Sequence, residues 1–421
     1  MTDPRQQSDV GLRHIEIRGF RSARHVEFSP RRMCALVGEA RAGKSTLLAA
    51  IRAVLDPESA PLTTADITRG ESLISIRAHL ASGDTLSLDG PPSKTETPAG
   101  PAPPVLFLSA ADRAGHLIST TRAEPTAHPA VDIFRDVLGD YTDGERDHST
   151  TMPAIGLVKA MEQCCTAHAG GLVLLIEDPE LYLRPQTQRY LYRLLREFSL
   201  NGNQVIYSTH SPAFLNVARL DELGFVTRGP DNGTHVLHPE PVSAEEEFKL
   251  ISEFDAERSE VFLARAAILV EGTTEKLALP FVFRALGHDP DRIGITIVEC
   301  GGKSGIPLFA RICRAVGVPF VVLHDRDAPQ GRQPIVAERH LNDLIAELAG
   351  PERTIVLEPD FEAVARIKGH SHKPHRAWQR FTSLSRREMP QQLAQAAELA
   401  VELSQHGTGG LTSSPKSEPI E

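Results

Sequence analysis

Residues 38–45, Gly38-Glu39-Ala40-Arg41-Ala42-Gly43-Lys44-Ser45, have the spacing G-x-x-x-x-G-K-[ST] of a phosphate-binding loop. Glycines at the two fixed positions let backbone N–H groups close around a phosphate, and a helix starting there adds its positive end. Lys44 is expected to reach the β- and γ-phosphates and the Ser45 hydroxyl to bind Mg²⁺. Gly38, Gly43 and Thr46 complete the expected cradle.

A second group of polar residues follows buried-looking runs. Leu172-Val173-Leu174-Leu175-Ile176 ends in Glu177-Asp178-Pro179-Glu180, and Gln204–Thr209 ends in His210-Ser211-Pro212. After a phosphate-binding loop, one acid at a strand end holds the Mg²⁺ shell and the next orients or deprotonates the attacking water. By position these are Glu177 and Asp178, with His210 placed to hydrogen-bond the γ-phosphate. Asp178-Pro179-Glu180 also suits a helix start, and a lone histidine also suits a purely structural role.

The C-terminal part carries carboxylates at short spacings: Glu271 with Glu275, Asp325 with Asp327, and Asp360 with Glu362. Acids two apart on a strand share a face. Converging carboxylates without a His/Cys set favour hard, oxygen-liganded Mg²⁺ or Mn²⁺, and several acids in one place repel unless a cation neutralises them. Two ions about 4 Å apart would stabilise the attacking and leaving oxygens of a phosphodiester. Taken singly, each pair also suits a solvated turn after a strand. Lys303, in Gly301-Gly302-Lys303, either touches phosphate or caps a Gly-rich turn. Residues 361–390 hold Arg366, Lys368, Lys373, Arg376, Arg380, Arg386 and Arg387 against Glu362 and Glu388. That stretch reads as a patch that tracks a DNA backbone or as a helix face with its long stems packed down.

The elements that must position these groups follow from patterning. Cys34–Val37 is a buried strand entering the phosphate loop, and Thr46–Leu55 has helical spacing leaving it. His14–Ser22, His25–Phe28 and Ser72–Leu80 alternate, so an antiparallel sheet flanks that unit. Val105–Leu108 is a short strand, Val131–Leu138 a helix, and 185–198 a helix between two apolar strands. This alternation builds a parallel sheet with ligands at its strand ends. The pattern restarts with Ala266–Val270, Ile295–Val298 and Pro319–Leu323, a second, smaller α/β domain. The expected boundaries are a disordered 1–10, a first domain 11–240, a linker 241–260, a second domain 261–400 and a disordered tail 401–421.

With 421 residues and net charge −10, the whole molecule is not a general polyanion binder, so nucleic-acid contact must be local. Five cysteines without a C-x-x-C pair argue against zinc and suit reduced thiols in the cytosol. No apolar run is long enough for a membrane span, and residues 1–10 lack the apolar core of a signal peptide. The expected localisation is cytoplasmic.

The phosphate loop, Leu174–Gln186 and Ser208–Pro212 resemble the ABC-type ATPase of the RecF and SMC group. The resemblance implies two ATPase heads sandwiching ATP, hence a homodimer, each offering a Ser-Gly signature to the other. Ser149–Gly156 occupies that place but lacks a Leu-Ser-x-Gly core. Leu269–Glu275, then 301–303, then Asp325-Arg326-Asp327 resemble the TOPRIM domain. An ABC-type ATPase followed by TOPRIM is the layout of the OLD (overcoming lysogenisation defect) family of ATP-dependent endonucleases. The resemblance implies a P-loop ABC-type ATPase domain followed by a Rossmann-like TOPRIM domain, with ATP and Mg²⁺ or Mn²⁺ as cofactors and DNA as substrate. It assigns Glu271, Glu275, Asp325, Asp327 and the later acid Asp360 to metal, with Glu362 matching the same later acidic position. It makes Lys373 the cation that steadies transition-state charge. The alternative is an ATP-gated DNA-binding or scaffold protein of the RecF/SMC type whose TOPRIM part no longer cuts.

Overall fold

The computed structural model describes residues 11–92, 100–110, 128–143, 151–215, 217–229, 231–239, 257–327, 335–367 and 372–406. The chain divides into two compact units, 1–248 and 249–421.

The strands of the first unit are, in chain order, β1 (Leu12–Phe20), β2 (Ala23–Phe28), β3 (Met33–Val37), β4 (Ile74–Leu80), β5 (Thr85–Gly90), β6 (Val105–Leu108), β7 (Val173–Glu177), β8 (Gln204–Thr209), β9 (Leu223–Arg228) and β10 (Thr234–Leu237). β2-β1-β4-β5 form an antiparallel sheet. β4 alternates buried and more exposed residues, as a sheet with one covered face requires. The second sheet runs β10-β9-β3-β8-β7-β6 and is parallel apart from β10. Its central strands β3 and β8 are buried throughout, because both faces are covered. The helix Lys44–Leu55 joins both sheets in one core, where Leu47, Leu48, Ile51 and Val54 meet Ile15, Ile76, Leu175 and Ile206. β8 lies between the phosphate-loop strand β3 and the acid-bearing β7. The ends of β7 and β8 therefore open beside the loop.

The second unit has β11 (Ala266–Val270), β12 (Ile295–Glu299), β13 (Phe320–Asp325) and β14 (Thr354–Leu357) in the all-parallel order β12-β11-β13-β14. Helices Thr273–Ala285, Lys373–Thr382 and Gln391–His406 contribute to one core with β11, β13 and β14. In the first domain, β5, β9 and β10 are additions to the strands expected from patterning. Of the expected linker, 241–256 lies outside the described residues, and Arg258–Leu263 is a 3₁₀ turn of the second unit, with Ser259 buried. The expected tail begins too early. The last helix continues to His406, because Val401 and Ser404 are buried in it. The expected disordered 1–10 and the tail beyond His406 lie outside the described residues.

Candidate functional site

Each unit carries a polar site at the ends of its parallel strands. In the first, β3 leads into the phosphate loop. Gly38 has φ 152° and Gly43 φ 118°, both in the region that favours glycine. A Cβ at Gly38 would stand 2.1 Å from the Val226 carbonyl oxygen, and one at Gly43 2.1 Å from Thr234 Oγ1. No side chain fits either place. Lys44 is buried, and its Nζ donates to the Gly38 carbonyl at 2.7 Å and to the Glu39 carbonyl at 3.0 Å. Burial lowers its pKa, while the carboxylates of Asp178, Glu180 and Glu39 favour its charge. Ser45 is exposed. Thr46 is buried, its hydroxyl 3.1 Å from Ser22 Oγ, which lies 2.9 Å from Thr234 Oγ1.

Glu177 ends β7 and accepts the Ala110 N–H at 3.2 Å. Asp178 sits at φ 44° and donates its N–H to the Ser208 carbonyl at 3.0 Å. The Ser208 hydroxyl donates to Asp178 Oδ1 at 3.0 Å, which aims the carboxylate from the neighbouring strand. The next helix starts at Pro185, so Asp178 caps no helix. Glu180 Oε1 accepts the His210 N–H at 2.7 Å. Burial raises the Glu180 pKa and lowers that of the His210 imidazole, which the Lys44 charge lowers further. Lys44, Asp178, Glu180 and His210 thus act on one another's charge. Ser208 and Glu180 were not singled out by sequence. The available signal was that both lie within the strand-end runs that supplied Asp178 and His210. Of the Ser149–Gly156 stretch, Ser149 and Thr150 lie outside the described residues, and a helix begins at Thr151.

In the second unit, Glu271 follows β11 and its Oε1 accepts the Asp325 N–H at 2.7 Å. Asp325, the last residue of β13, accepts the Phe361 N–H on Oδ1 at 2.8 Å. Glu275 lies in the first turn of helix Thr273–Ala285, and its Oε2 accepts the Gly272 N–H at 3.2 Å. Each of these acids accepts a hydrogen bond from a backbone N–H. Burial, with the neighbouring Glu271 and Glu275 charges, pushes Asp325 up to about 8. Burial pushes Glu275 up to about 7, with Glu271 adding to the rise, and it raises Glu271 as well. Asp327 pairs with the buried Lys303 at 2.9 Å. Asp360 caps the helix Phe361–Ala365 through the Ala363 N–H at 2.8 Å, whereas Glu362 pairs with Lys373 at 2.8 Å and raises Glu275. Lys373 feels the charges of Glu362, Asp360 and Asp325. The structure thus brings Glu271, Glu275, Asp325, Asp327, Asp360, Glu362 and Lys373 into one group of interacting charges, in which Asp360 also caps a helix. Among the described residues no three His, Cys, Asp or Glu side chains are drawn into a closed metal cage.

A family model described as "Overcoming lysogenization defect protein-like, TOPRIM domain" matches residues 262–327. One described as "AAA ATPase domain" matches 152–215, and one of a protein family of unknown function matches 10–67. The OLD nuclease of Thermus scotoductus is 40% identical over 223 residues, which are 48% of this chain and 42% of that protein. The Old nuclease of Escherichia phage P2 is 31% identical over 162 residues, 37% of this chain and 28% of that protein. A solved C-terminal region of the Burkholderia pseudomallei OLD protein aligns with a TM-score of 0.28 at 20% identity, covering 34% of this chain and 99% of its own. The chain spans less than half the length of either nuclease it matches. Residues 262–327 thus resemble an OLD-like TOPRIM domain and residues 152–215 an AAA ATPase domain, and the chain carrying both is similar to the OLD nucleases over part of their length.

Proposed function

We propose that this chain is an ATP-regulated, metal-dependent DNA endonuclease of the OLD type. The observation that carries this reading is the set of half-buried to buried carboxylates, Glu271, Glu275 and Asp325, joined at the strand ends of the OLD-like TOPRIM domain. The donor set fits a hard divalent ion. All three are oxygen donors, and their crowding costs energy that a cation offsets. The raised carboxyls of Asp325 and Glu275 hold their protons more tightly than free acids do, and an ion would displace them. A bound Mg²⁺ or Mn²⁺ would polarise a phosphodiester and lower the pKa of its water. Lys373, swung from Glu362, would steady charge on the phosphate.

In the first unit, Gly38, Gly43, Lys44, Ser45 and Thr46 would hold ATP, with Ser45 and Glu177 on its Mg²⁺. Asp178, aimed by Ser208, would orient water, and His210 would meet the γ-phosphate. ATP binding would pair two chains through their ATPase domains. DNA would run along Arg366, Lys373, Arg376, Arg380, Arg386 and Arg387, beside the exposed Trp378 that stacks on His375 at 5.9 Å. The five cysteines are free and buried, which suits the cytosol. Among the described residues no helix is long and apolar enough to cross a membrane.

The test is incubation of the pure protein with supercoiled and linear DNA, in Mg²⁺ or Mn²⁺, with and without ATP. Metal-dependent cutting that responds to ATP supports the reading. Tight ATP-dependent DNA binding without cutting under any metal makes the chain an ATP-gated DNA-binding protein instead.

A further inference from the structure

The hairpin of β9 and β10 lies along the phosphate loop of the first unit. β9 pairs with β3 as far as Phe225 opposite Val37, where β3 ends and the loop begins. β9 then continues to Arg228 and turns back into β10. The continued part touches the loop at successive residues. The Val226 carbonyl oxygen stands 2.1 Å from where a Cβ of Gly38 would be. Arg228 Nε donates to the carbonyl of Arg41, which takes the left-handed φ of 66°. Thr234, 1% exposed, donates its hydroxyl hydrogen to the Ala42 carbonyl at 2.9 Å. A carbonyl only accepts and a hydroxyl has one hydrogen, so the Ser22 hydroxyl, 2.9 Å away, donates to Thr234. The Thr234 N–H donates to the Ser22 carbonyl at 2.9 Å, which ties this point to the turn between β1 and β2.

Arg228 and Thr234 are register partners, so one rung of the hairpin holds two consecutive loop carbonyls. A trans peptide unit is planar, with its C=O and N–H pointing in opposite directions. Holding the Ala42 carbonyl against Thr234 therefore aims the Gly43 N–H away from the hairpin. The other carbonyls of the loop have a different partner: Lys44 Nζ takes those of Gly38 and Glu39. A Lys44 that turns to phosphate gives up those two bonds, and the hairpin's bonds to Arg41 and Ala42 remain. We propose that Thr234 is a positioning residue of the nucleotide site, aiming the Gly43 N–H through the Ala42 carbonyl and, with Arg228, keeping the loop in its phosphate-receiving form when Lys44 leaves it. This rests on the phosphate-loop reading of the proposed function and deepens it.

The experiment uses the full chain with Mg²⁺. ATP affinity is read by titration with a fluorescent ATP analogue, and KM and kcat by steady-state hydrolysis. Thr234→Val keeps the β-branched shape and removes the hydroxyl, Thr234→Ser keeps the hydroxyl, and Arg228→Met keeps an exposed stem and removes the donors. Thr234→Val should raise Kd and KM by about tenfold with kcat little changed, the pattern of lost binding that is equal in ground and transition states. Thr234→Ser should restore wild-type values, and Arg228→Met should raise KM by about threefold in the same pattern. A Thr234 that only stabilises the fold would lower kcat with the folded fraction and leave KM alone. That result, or wild-type affinity in Thr234→Val, or a Thr234→Ser as weak as Thr234→Val, overturns the inference while leaving the phosphate loop standing. No ATP binding by wild type removes the phosphate-loop reading as well. If Thr234→Val fails to fold, the surface variant Arg228→Met decides: a wild-type KM there overturns the inference.

Discussion

Glu271 accepts the backbone N–H of Asp325 at 2.7 Å, so one acidic residue of the cluster fixes the backbone of another across two adjacent parallel strands. Glu271 therefore has two tasks, which two substitutions separate. Glu271→Gln keeps an acceptor for that N–H, so it should leave stability nearly unchanged while weakening Mn²⁺ binding at least tenfold. Glu271→Ala should weaken the metal equally and also cost about 1–3 kcal/mol for the stranded N–H. Urea melts and Mn²⁺ titrations read the two effects. Equal stability of the two variants would show that the tie is idle.

The same crowding sets a pH dependence. In the folded, metal-free protein Asp325 is raised to about 8 and Glu275 to about 7. The unfolded chain releases those protons near pH 4. Between these limits the folded state holds more protons, so stability falls as pH rises, and the contribution is gone above pH 8. The slope is about 1.4 kcal/mol per pH unit for each proton of difference. Trp378, the single tryptophan, lies in the second unit and reports its unfolding. Urea midpoints in EDTA should drop from pH 5 to 8, and saturating Mg²⁺ should flatten the trend. A midpoint that rises with pH in EDTA contradicts the cluster.

Lys44→Ala should weaken ATP at least tenfold, because the buried ammonium held on the Gly38 and Glu39 carbonyls would supply the charge that meets the β- and γ-phosphates. The Mn²⁺ count of the second unit should not move. Unchanged ATP affinity in a nucleotide titration sinks the phosphate-loop assignment.

Most of this was legible in the sequence because strand-end chemistry is local. Gly38–Ser45, Glu177-Asp178 and Asp325-Arg326-Asp327 each follow an apolar run, and a buried parallel strand is an apolar run. The strands β9 and β10 were harder to read. β10 is short and mostly solvent-facing, and β9 holds Gly224, so neither is a plain apolar run. The pairings of the acids were not legible. Asp360 and Glu362 look alike in sequence, yet one caps a helix and the other meets Lys373. That difference is set by where the helix Phe361–Ala365 begins. Glu338, on the helix Val336–Ala349, lies 3.4 Å from Lys303 Nζ, with no local pattern to mark the pairing.

ATP turnover should be slow. Asp178 is one methylene shorter than a glutamate in its place would be, about 1.5 Å less reach, and its carboxylate is held by Ser208. The water would be placed less well. Steady-state hydrolysis should stay well below about 10 s⁻¹, a typical enzyme value, while ATP binding remains tight. Asp178→Glu should hydrolyse faster if its longer side chain tolerates the left-handed backbone at this position. A wild-type rate at or above that typical value refutes this account of how Asp178 places the water.

Lys373→Ala should slow DNA cleavage by tenfold or more and leave the Mn²⁺ count unchanged, because a lysine stabilises phosphate charge and ligates no ion. Glu362→Gln, which frees Lys373 from its 2.8 Å partner, should not reproduce that loss. Equal cleavage by wild type and Lys373→Ala assigns Lys373 to the ion pair alone.

The most direct measurement compares wild type with Asp325→Asn on supercoiled plasmid in Mg²⁺ and in Mn²⁺, with ATP affinity measured in parallel. Asparagine keeps an acceptor for the Phe361 N–H and removes only the charge. The expected result is cleavage by wild type, none by Asp325→Asn, and the same ATP affinity in both. If Asp325→Asn cuts as well as wild type in both metals, the catalytic site is not here.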